Sequence, residues 1–312
     1  MDAVKFGLIG AAGYIAPRHM RAIKDTGNAL ICALDPYDGM GVIDSYFPHA
    51  DFFTEPERFD RHLDKLRRLG QGGVDYVSIC SPNYLHDAHI RMAVRNGAHA
   101  ICEKPIVLNP WNLDALCELE RESGKEIYTI LQLRLHPSIR QLKKRIEEGP
   151  PGKVYDIDLQ YITSRGRWYF FSWKGDVQKS GGVATNIGIH FFDMLGWIFG
   201  RFLDLEVLEN RPDRARGHLV FEQARVNWFL SVNEKDLPRQ AIEQGKRTYR
   251  SITIGGEEVE FSDGFTDLHT ESYKEILAGR GFRVETARPS VEIAQRIRQA
   301  GTGTATPGQT ID

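Results

Sequence analysis

The first 133 residues repeat one pattern, in which a short apolar run is followed by an amphipathic stretch of helical length. Apolar runs that are continuous rather than alternating are typical of parallel strands, because helices cover both faces of a parallel sheet. The runs are VKFGLI, ALICALD, VDYVSICS, HAICE and EIYTILQ, and the helical stretches are about 16–26, 55–69, 85–95 and 110–123. We therefore predict a dinucleotide-binding Rossmann domain over residues 1–133, with its ligand beyond the carboxyl ends of the strands.

The pattern changes after about residue 150, where apolar and polar residues alternate. Alternation indicates strands with one face in the core and the other in solvent. The alternating segments are KVYDIDLQYIT, RFLDLEVLEN, RGHLVFE and ARVNWFLSV, and RSITIGGEEVEF predicts a hairpin that turns at Gly255 and Gly256. Helices are expected at about 186–199, 267–278 and 289–299. The predicted fold class is α/β, with a substrate-binding and oligomerisation domain of the α+β type over 134–312, built on a mainly antiparallel, open-faced sheet.

Composition argues against several classes of protein. The 312 residues carry a net charge of −2, which gives no reason to expect nucleic acid or a membrane surface as a partner. No segment reaches the roughly 18 consecutive apolar residues of a membrane span, and the N-terminal residues lack the pattern of a signal peptide. The four cysteines form no CxxC pair, so we expect no metal site and no redox motif. Reduced, buried thiols suit a cytoplasmic protein.

The turn GLIGAAGYIAPRH is the candidate cofactor site. Gly10 and Gly13 would let the backbone approach a pyrophosphate at the start of a helix near Ala16, although Ala11 departs from the GxGxxG pattern. An ordinary tight turn is the alternative. Asp35 lies at the end of the second predicted strand, where a carboxylate accepts hydrogen bonds from the adenosine ribose and repels a 2′-phosphate. This favours NAD over NADP, the alternative being a solvated aspartate at a strand end.

The run AICEKPIV ends in Glu103, Lys104 and Pro105 rather than in a turn-forming glycine. The fifth strand of such a sheet ends near the nicotinamide of a bound dinucleotide, where a lysine can place its ammonium group beside a substrate hydroxyl. Pro105 fixes the direction of the backbone, and Glu103 either orients Lys104 or caps the strand. Taken alone, the tripeptide is better explained by an exposed Glu–Lys pair.

A second set of polar residues lies in SGGVATNIGIHFFDMLGWIFG. Asn186, His190 and Asp193 are spaced i, i+4 and i+7, so they share one face of an otherwise apolar helix. A single histidine on such a helix is more often a core residue, but buried polar groups need partners. A bound substrate can supply partners for the whole stripe.

The glycine turn, SPNYLH, EKP and GG…NIGIHFFD occur in the order typical of the Gfo/Idh/MocA oxidoreductases, and the chain resembles that family over nearly its whole length. The segments GYIAPRH, LDPYDGMGVIDSYFP, LQLRLHPS, SRGRWY, TNIGIHFFD and GFTDLHTE are similar to its WlbA-type branch. Enzymes of this branch oxidise the 3-hydroxyl of UDP-N-acetyl-2-amino-2-deoxyglucuronate on the way to diacetylated mannuronic acid in bacterial surface polysaccharide. Asn186 stands where many family members carry Asp, so an Asp–His proton relay is in doubt.

The resemblance implies NAD as cofactor, a homotetramer, and 2-oxoglutarate as a possible acceptor of the hydride. The cofactor-binding residues that it implies are Gly10, Ala12, Gly13, Tyr14, Ile15, Asp35, Ser81, Pro82, Asn83, His86, Glu103 and Lys104. Those expected to bind substrate are Lys104, Arg134, Ser164, Arg165, Arg167, Tyr169, Asn186 and His190.

For the chemistry we predict that Lys104, His190 and Asn186 are catalytic. A neutral imidazole with a pKa near ~6.5 suits His190 as the base, Asn186 helps to orient the substrate, and a protonated Lys104 stabilises the alkoxide. The reverse assignment makes a desolvated Lys104 the base. Two other functions stay open: another NAD(P)-dependent sugar or polyol dehydrogenase of this family, or a non-catalytic regulator that senses a nucleotide.

Overall fold

The parallel sheet predicted for the first half of the chain is present and has six strands. The computed structural model describes residues 3–70, 73–259 and 267–300. The strands are β1 (Lys5–Ile9), β2 (Ala29–Leu34), β3 (Asp51–Phe53), β4 (Tyr76–Ile79), β5 (His99–Cys102) and β6 (Ile127–Thr129). The helices between them are α1 (Ala16–Asp25), α2 (Met40–Tyr46), α3 (Pro56–Arg68), α4 (His86–Arg95) and α5 (Pro110–Ser123).

The order of the strands explains where a ligand can bind. All neighbours pair in parallel in the order β3-β2-β1-β4-β5-β6, so the chain winds outward from β1 in one direction and then in the other. The carboxyl ends of β1 and β4 flank the point where the direction changes, which is where open α/β sheets bind their ligands. Fully buried Phe6, Leu8, Met20 and Ile23 fill the space between the sheet and α1.

The first unit is discontinuous in sequence. Residues 3–135 form one compact unit together with 267–288, and residues 136–259 form another together with 289–300. The late segment of the first unit contains α11 (Leu268–Leu277), whose Tyr273 and Ile276 belong to the same buried cluster as Phe6. The predicted domain bounds, 1–133 and 134–312, stay a prediction, and the packing of α11 is an observation that the sequence did not supply.

The second unit contains a six-stranded mixed sheet. Its strands are β7 (Tyr155–Thr163), β8 (Phe202–Asn210), β9 (Arg214–Phe221), β10 (Ala224–Ser231), β11 (Thr248–Ile254) and β12 (Glu257–Glu258). The remaining helices of the described residues are α6 (Pro137–Glu147), α7 (Trp168–Phe171), α8 (Val177–Ser180), α9 (Ile189–Phe199), α10 (Arg239–Glu243) and α12 (Arg288–Gln299). The order is β12-β11-β7-β10-β9-β8, and every pair is antiparallel except β7 with β10.

The two faces of this second sheet differ in polarity. One face is apolar, and Trp228 packs there edge-on against Phe192 of α9. The other face is polar, because Asn227 bonds the side chains of Asp158 and His218 on the neighbouring strands. Trp228 and Phe221 are 2% and 1% exposed, so both belong to the core of this unit.

The fold class is confirmed, with differences in detail. The short segments α2, β3, α7, α8 and α10 were not predicted, since none carries a clear apolar period. Within the described ranges, no helix is both long and apolar enough to cross a membrane.

Candidate cofactor and substrate sites

The turn after β1 requires glycine at its first position. Gly10 has φ +85°, and a Cβ atom there would lie 2.6 Å from the carbonyl carbon of Cys80 and 2.7 Å from the nitrogen of Ser81. An L side chain would therefore be strained by the dihedral angle and would also clash with the chain after β4. The main chain at Gly10 thus lies in close contact with the main chain of Cys80 and Ser81, at the carboxyl ends of β1 and β4.

The start of α1 offers main-chain donors to an anion. The amide of Gly13 bonds the carbonyl of Gly10, whereas the amides of Tyr14 and Ile15 have no hydrogen-bond partner among the described residues. Pro in the first turn of α1 contributes no donor. Two amides of this kind at the positive end of a helix dipole fit the diphosphate of a dinucleotide.

Asp35 holds this turn from the end of β2. Its side chain is 5% exposed, and its two carboxylate oxygens each accept a main-chain hydrogen bond of 2.9 Å, from Ala12 and from Tyr37. A carboxylate has about four acceptor positions, so it can still accept from ribose hydroxyls. Asp35 is therefore a structural anchor of the turn as well as the candidate ribose ligand.

The loop after β4 is tied to the region of Lys104 by a buried histidine. Nδ1 of His86 lies 2.7 Å from the carbonyl oxygen of Pro105, and its Nε2 lies 2.8 Å from that of Ser81. Burial lowers the pKa of His86, and the two carbonyl groups oppose this shift by favouring the protonated ring. Because both ring nitrogens face the main chain, neither is available to a ligand in this structure, and the predicted contact of His86 with the cofactor stays a prediction.

Ser81, Pro82 and Asn83 lie in the same loop, and Ser81 has a partner that the sequence analysis missed. Its hydroxyl lies 2.8 Å from Nδ1 of His89, and burial lowers the pKa of His89 to about 4. The spacing of His86 and His89 on one helix face was a signal that could have predicted two inward-pointing rings.

Lys104 is the second residue after β5 and is partly exposed. Its main-chain amide donates a hydrogen bond of 3.2 Å to Oε2 of Glu103. The main-chain amide of Glu103 in turn donates to the carbonyl of Ile79 on the neighbouring strand. Glu103 is buried, so the alternative of an exposed Glu–Lys pair does not apply. Arg134 lies in a 3₁₀ turn after β6, with its guanidinium 5.3 Å from the ring centre of Phe282.

In the second unit, the polar stripe starts in an irregular turn. Residues Ala184–Gly188 form a π-helical turn before α9, and such turns are frequent at functional sites. Nδ2 of Asn186 donates 3.0 Å to the hydroxyl of Tyr169, which is 1% exposed. His190 is half-buried and Asp193 is buried. Burial raises the pKa of Tyr169, while the bond from Asn186 and the positive charge of Arg165 act against this shift.

The predicted arginines lie before α7. Arg165 and Arg167 are exposed, and Ser164 is buried with a hydroxyl that has no partner among the described residues. Arg165 lines a surface cavity together with Arg211 and Lys235. The second unit thus brings Tyr169, Asn186 and Arg165 together, and the first unit brings together the glycine turn and Asp35. The roles predicted for these residues stay predictions.

This sheet, with its glycine turn and strand-end carboxylate, defines the class of protein. Residues 4–130 match the family model described as "Oxidoreductase family, NAD-binding Rossmann fold", and residues 143–237 match "Oxidoreductase family, C-terminal alpha/beta domain". The chain is therefore an oxidoreductase with an NAD-binding domain. More particularly, it belongs to the Gfo/Idh/MocA family.

Individual proteins are similar to this chain over different shares of its length. The WlbA (WbpB) dehydrogenase from Thermus thermophilus in complex with NAD and alpha-ketoglutarate is 52% identical, with 97% of each chain covered and a TM-score of 0.93. Its complex with NAD and UDP-GlcNAcA gives 51% identity over 97% of each chain and a TM-score of 0.92. D-glucoside 3-dehydrogenase from Escherichia coli (strain K12) is 32% identical over 40% of this chain and 36% of that protein. The chain thus spans about a third of the length of the first curated relatives.

Proposed function

We propose that this protein oxidises the sugar 3-hydroxyl of UDP-N-acetyl-2-amino-2-deoxy-D-glucuronate to the 3-keto sugar, with NAD as the hydride acceptor, in the synthesis of bacterial surface polysaccharide containing diacetylated mannuronic acid. The observation that carries this proposal is the identity of 51–52% over 97% of both chains with an enzyme crystallised with NAD and with UDP-GlcNAcA. The fold alone would not distinguish this sugar from others, since related folds host many substrates.

The first unit supplies the groups that would hold NAD. The amides of Tyr14 and Ile15 suit its diphosphate, and Asp35 suits the adenosine ribose and disfavours a 2′-phosphate. When bound, NAD accepts the hydride that leaves the sugar carbon. Gly10, Ala12, Gly13, Ser81, Pro82 and Asn83 would line the same groove.

The hydroxyl proton has to leave as the carbon loses its hydride. His190 is the proposed base, because a neutral imidazole accepts a proton near neutral pH. The ammonium group of Lys104 would stabilise the negative charge that develops on the oxygen. The reverse assignment, with Lys104 as the base, predicts the same loss of turnover on mutation but a different pH profile.

The remaining polar groups are proposed to recognise the sugar nucleotide. The Asn186–Tyr169 pair, with its bond of 3.0 Å, would fix the orientation of the ring, since neither group carries a charge that could abstract a proton at neutral pH. Arg165 and Arg167 are proposed to bind the uronate carboxylate through their planar guanidinium groups, with Ser164 beside them and Arg134 as the next candidate.

Three further features belong to the proposal. Alpha-ketoglutarate, which accompanies NAD in the Thermus thermophilus structure, is proposed to reoxidise NADH. The polar face of the second sheet is proposed as the interface of a homotetramer, which sedimentation would test. A cytoplasmic location is proposed because all four cysteines are free thiols.

A second candidate function has one observation in its favour. The match to D-glucoside 3-dehydrogenase, at 32% identity over 128 residues, favours oxidation of another sugar at its 3-hydroxyl. The substrates separate the two: a D-glucoside lacks both the nucleotide and the carboxylate.

The test is a comparison of substrates with the full-length protein. NADH formation should be observed with the uronate in the presence of NAD, and mass spectrometry should detect a product that lacks two hydrogens. UDP-N-acetylglucosamine, myo-inositol and a simple D-glucoside serve as controls. Faster turnover of the D-glucoside than of the uronate would contradict the proposal.

Four variants test the assignment of the residues. Lys104→Met and His190→Asn should each lower kcat by roughly 100-fold or more while leaving the affinity for NADH within a few-fold of wild type. Arg165→Ala should weaken binding of the uronate by at least about tenfold but leave binding of the neutral UDP-N-acetylglucosamine almost unchanged, since only the uronate loses an ion pair. If Arg165→Ala and Arg167→Ala both bind and oxidise the uronate like the wild-type enzyme, the carboxylate is recognised by other residues.

A further inference from the structure

Three polar side chains from distant parts of the first unit meet in its interior. His19 comes from α1, Glu103 from the end of β5 and His269 from α11, and all three are buried, at 0%, 6% and 1% exposure. Oε1 of Glu103 lies 3.0 Å from Nε2 of His19 and 2.9 Å from Nε2 of His269. One carboxylate oxygen therefore has two imidazole partners inside an apolar unit.

The protons of this cluster follow from its contacts. An ionised carboxylate accepts only, so both Nε2 atoms carry hydrogens. Nδ1 of His19 then accepts from the hydroxyl of Tyr273 at 2.8 Å, and the oxygen of Tyr273 accepts from Ser78 at 2.5 Å. Each of these bonds is satisfied when Glu103 is a carboxylate anion, His19 is neutral and Nε2 of His269 carries a hydrogen.

The ionisation of His19 and Glu103 agrees with this assignment. Burial lowers the pKa of His19, which keeps its ring neutral near pH 7. Burial alone would raise the pKa of Glu103, but the hydrogen bonds from His19 and His269 outweigh it and hold that pKa well below its usual range. The cluster thus keeps a carboxylate charge in the interior.

The second oxygen of Glu103 connects the cluster to the candidate catalytic lysine. Oε2 accepts the main-chain amide of Lys104 at 3.2 Å. The chain of hydrogen bonds runs from Ser78 through Tyr273, His19 and Glu103 to the backbone of Lys104 and is joined at Glu103 by His269. Two helices, α1 and α11, therefore contact the carboxylate that accepts the amide of Lys104.

A metal ion would be an alternative reason to gather these groups, since their ligand atoms lie within 4.8 Å of one another. Metal–ligand bonds of roughly 2.0–2.2 Å in a tetrahedral site keep neighbouring ligand atoms more than about 3.2 Å apart. The observed separations of 2.9 and 3.0 Å are hydrogen-bond lengths instead. The geometry favours protons over a metal between these atoms.

We propose that His19 and His269 are positioning residues, which hold the Glu103 carboxylate and through it the main chain of Lys104 in the place that substrate oxidation requires. This inference rests on the role of Lys104 in the proposed function. It assigns a purpose to an anion that is costly to bury.

The experiment compares variants of the full-length enzyme acting on the uronate with NAD. His19→Leu and His269→Leu keep an apolar side chain of similar bulk but remove the donor to Glu103, so kcat should fall at least tenfold. His269→Gln can keep a donor near the position of Nε2 and should recover most of that loss. Tyr273→Phe removes only the hydroxyl that supports His19, and kcat should fall about threefold. His62→Leu changes a histidine of the same unit that does not touch the cluster, and kcat should stay at wild type.

A double-mutant cycle separates positioning from general damage. If His269 acts through Lys104, adding His269→Leu to Lys104→Met should lower turnover no further, because the group being positioned is already absent. A structural defect would reduce turnover again in that background. The affinity for NADH, measured by nucleotide fluorescence, should stay within about threefold of wild type in the single variants.

The outcomes distinguish this inference from the function on which it rests. A wild-type enzyme that does not oxidise the uronate would overturn the proposed function. Wild-type turnover of the uronate by Lys104→Met would leave that function standing but would overturn the role of Lys104 and, with it, this inference. An inactive Lys104→Met together with fully active His19→Leu and His269→Leu would overturn only the positioning role. Equal losses in His269→Leu and His269→Gln, or one equivalent of zinc that stays bound to the purified enzyme through dialysis, would also contradict it.

Discussion

Replacing Asp35 by asparagine tests the anchor of the cofactor turn. The carboxylate accepts amide hydrogens from Ala12 and Tyr37, each at 2.9 Å, and is almost completely buried. Asparagine has a similar shape but only one acceptor oxygen, so its amino group would face one of the two donors. A hydrogen bond to a charged group contributes about 1.5–3 kcal/mol, so the free energy of unfolding of the protein without bound NAD should fall by about 2 kcal/mol.

The same substitution should change the preference between the two dinucleotides. Ribose hydroxyls would lose a charged acceptor, and NADH should bind roughly 10- to 100-fold more weakly, as expected for about 1.5–3 kcal/mol. NADPH should lose little, because the negative charge that repels its 2′-phosphate is gone. Fluorescence titration of both nucleotides measures the two dissociation constants, and a thermal melt reports the loss of stability.

Asp38→Asn is the matched control. Asp38 lies three residues further on, is exposed, and accepts a single main-chain bond from Met40 at 3.1 Å. It changes the net charge by the same amount, so NADH affinity should stay within about twofold, as for other exposed charges. The reasoning fails if Asp35→Asn binds NADH like wild type, or if NADPH binding weakens as much as NADH binding.

Three further predictions concern stability and the second unit. Burial lowers the pKa of His89 to about 4, whereas the same side chain has a pKa near ~6.5 in the unfolded chain. Because the unfolded chain therefore binds more protons below neutral pH, the free energy of unfolding should fall by about 2 kcal/mol from pH 7 to pH 5. The fall should be smaller in His89→Gln. Gly217→Ala should lower the melting temperature or prevent folding, because its Cβ would overlap a carbonyl oxygen of β8. Gly196→Ala in α9 should raise the free energy of unfolding by about 0.5–1 kcal/mol, because the nearest atom to its Cβ, on Phe221, would be 3.7 Å away. Equal effects of the two substitutions would contradict this reasoning. Tyr169→Phe removes the acceptor of Asn186 and should lower kcat roughly tenfold with NADH affinity unchanged, and an unchanged kcat would remove this pair from the site.

Much of the first sheet could be predicted because each of its longer strands is a continuous apolar run. The strand β3 was missed because it has three residues, of which Asp51 is polar and exposed. The sequence also predicted the hairpin between β11 and β12, where Gly255 and Gly256 have φ of +57° and +88°. It did not predict that β7 and β10 pair in parallel, since alternation defines the faces of a strand but not its direction.

The candidate site was predicted less completely. The sequence pointed to Lys104, Asp35 and the Asn186 stripe as candidates because each stands at the end of an apolar run or on an apolar helix, and their roles stay predictions. The hydrogen bonds of Glu103 could not be found, since His19 and His269 lie 250 residues apart in the sequence. A signal did exist: both histidines fall on the buried face of an amphipathic helix, where a polar side chain needs a partner.

The discontinuity of the first unit sets an order of events during synthesis. The six parallel strands are complete at Thr129, but α11 begins only at Leu268, roughly 140 residues later. At about 5–20 residues per second, the ribosome needs on the order of ten seconds to supply it. During that interval the carboxylate of Glu103 lacks His269, His19 lacks Tyr273, and the apolar surface of Phe6 that Tyr273 covers is bare. This part of the core therefore lacks α11 until nearly nine-tenths of the chain has been made.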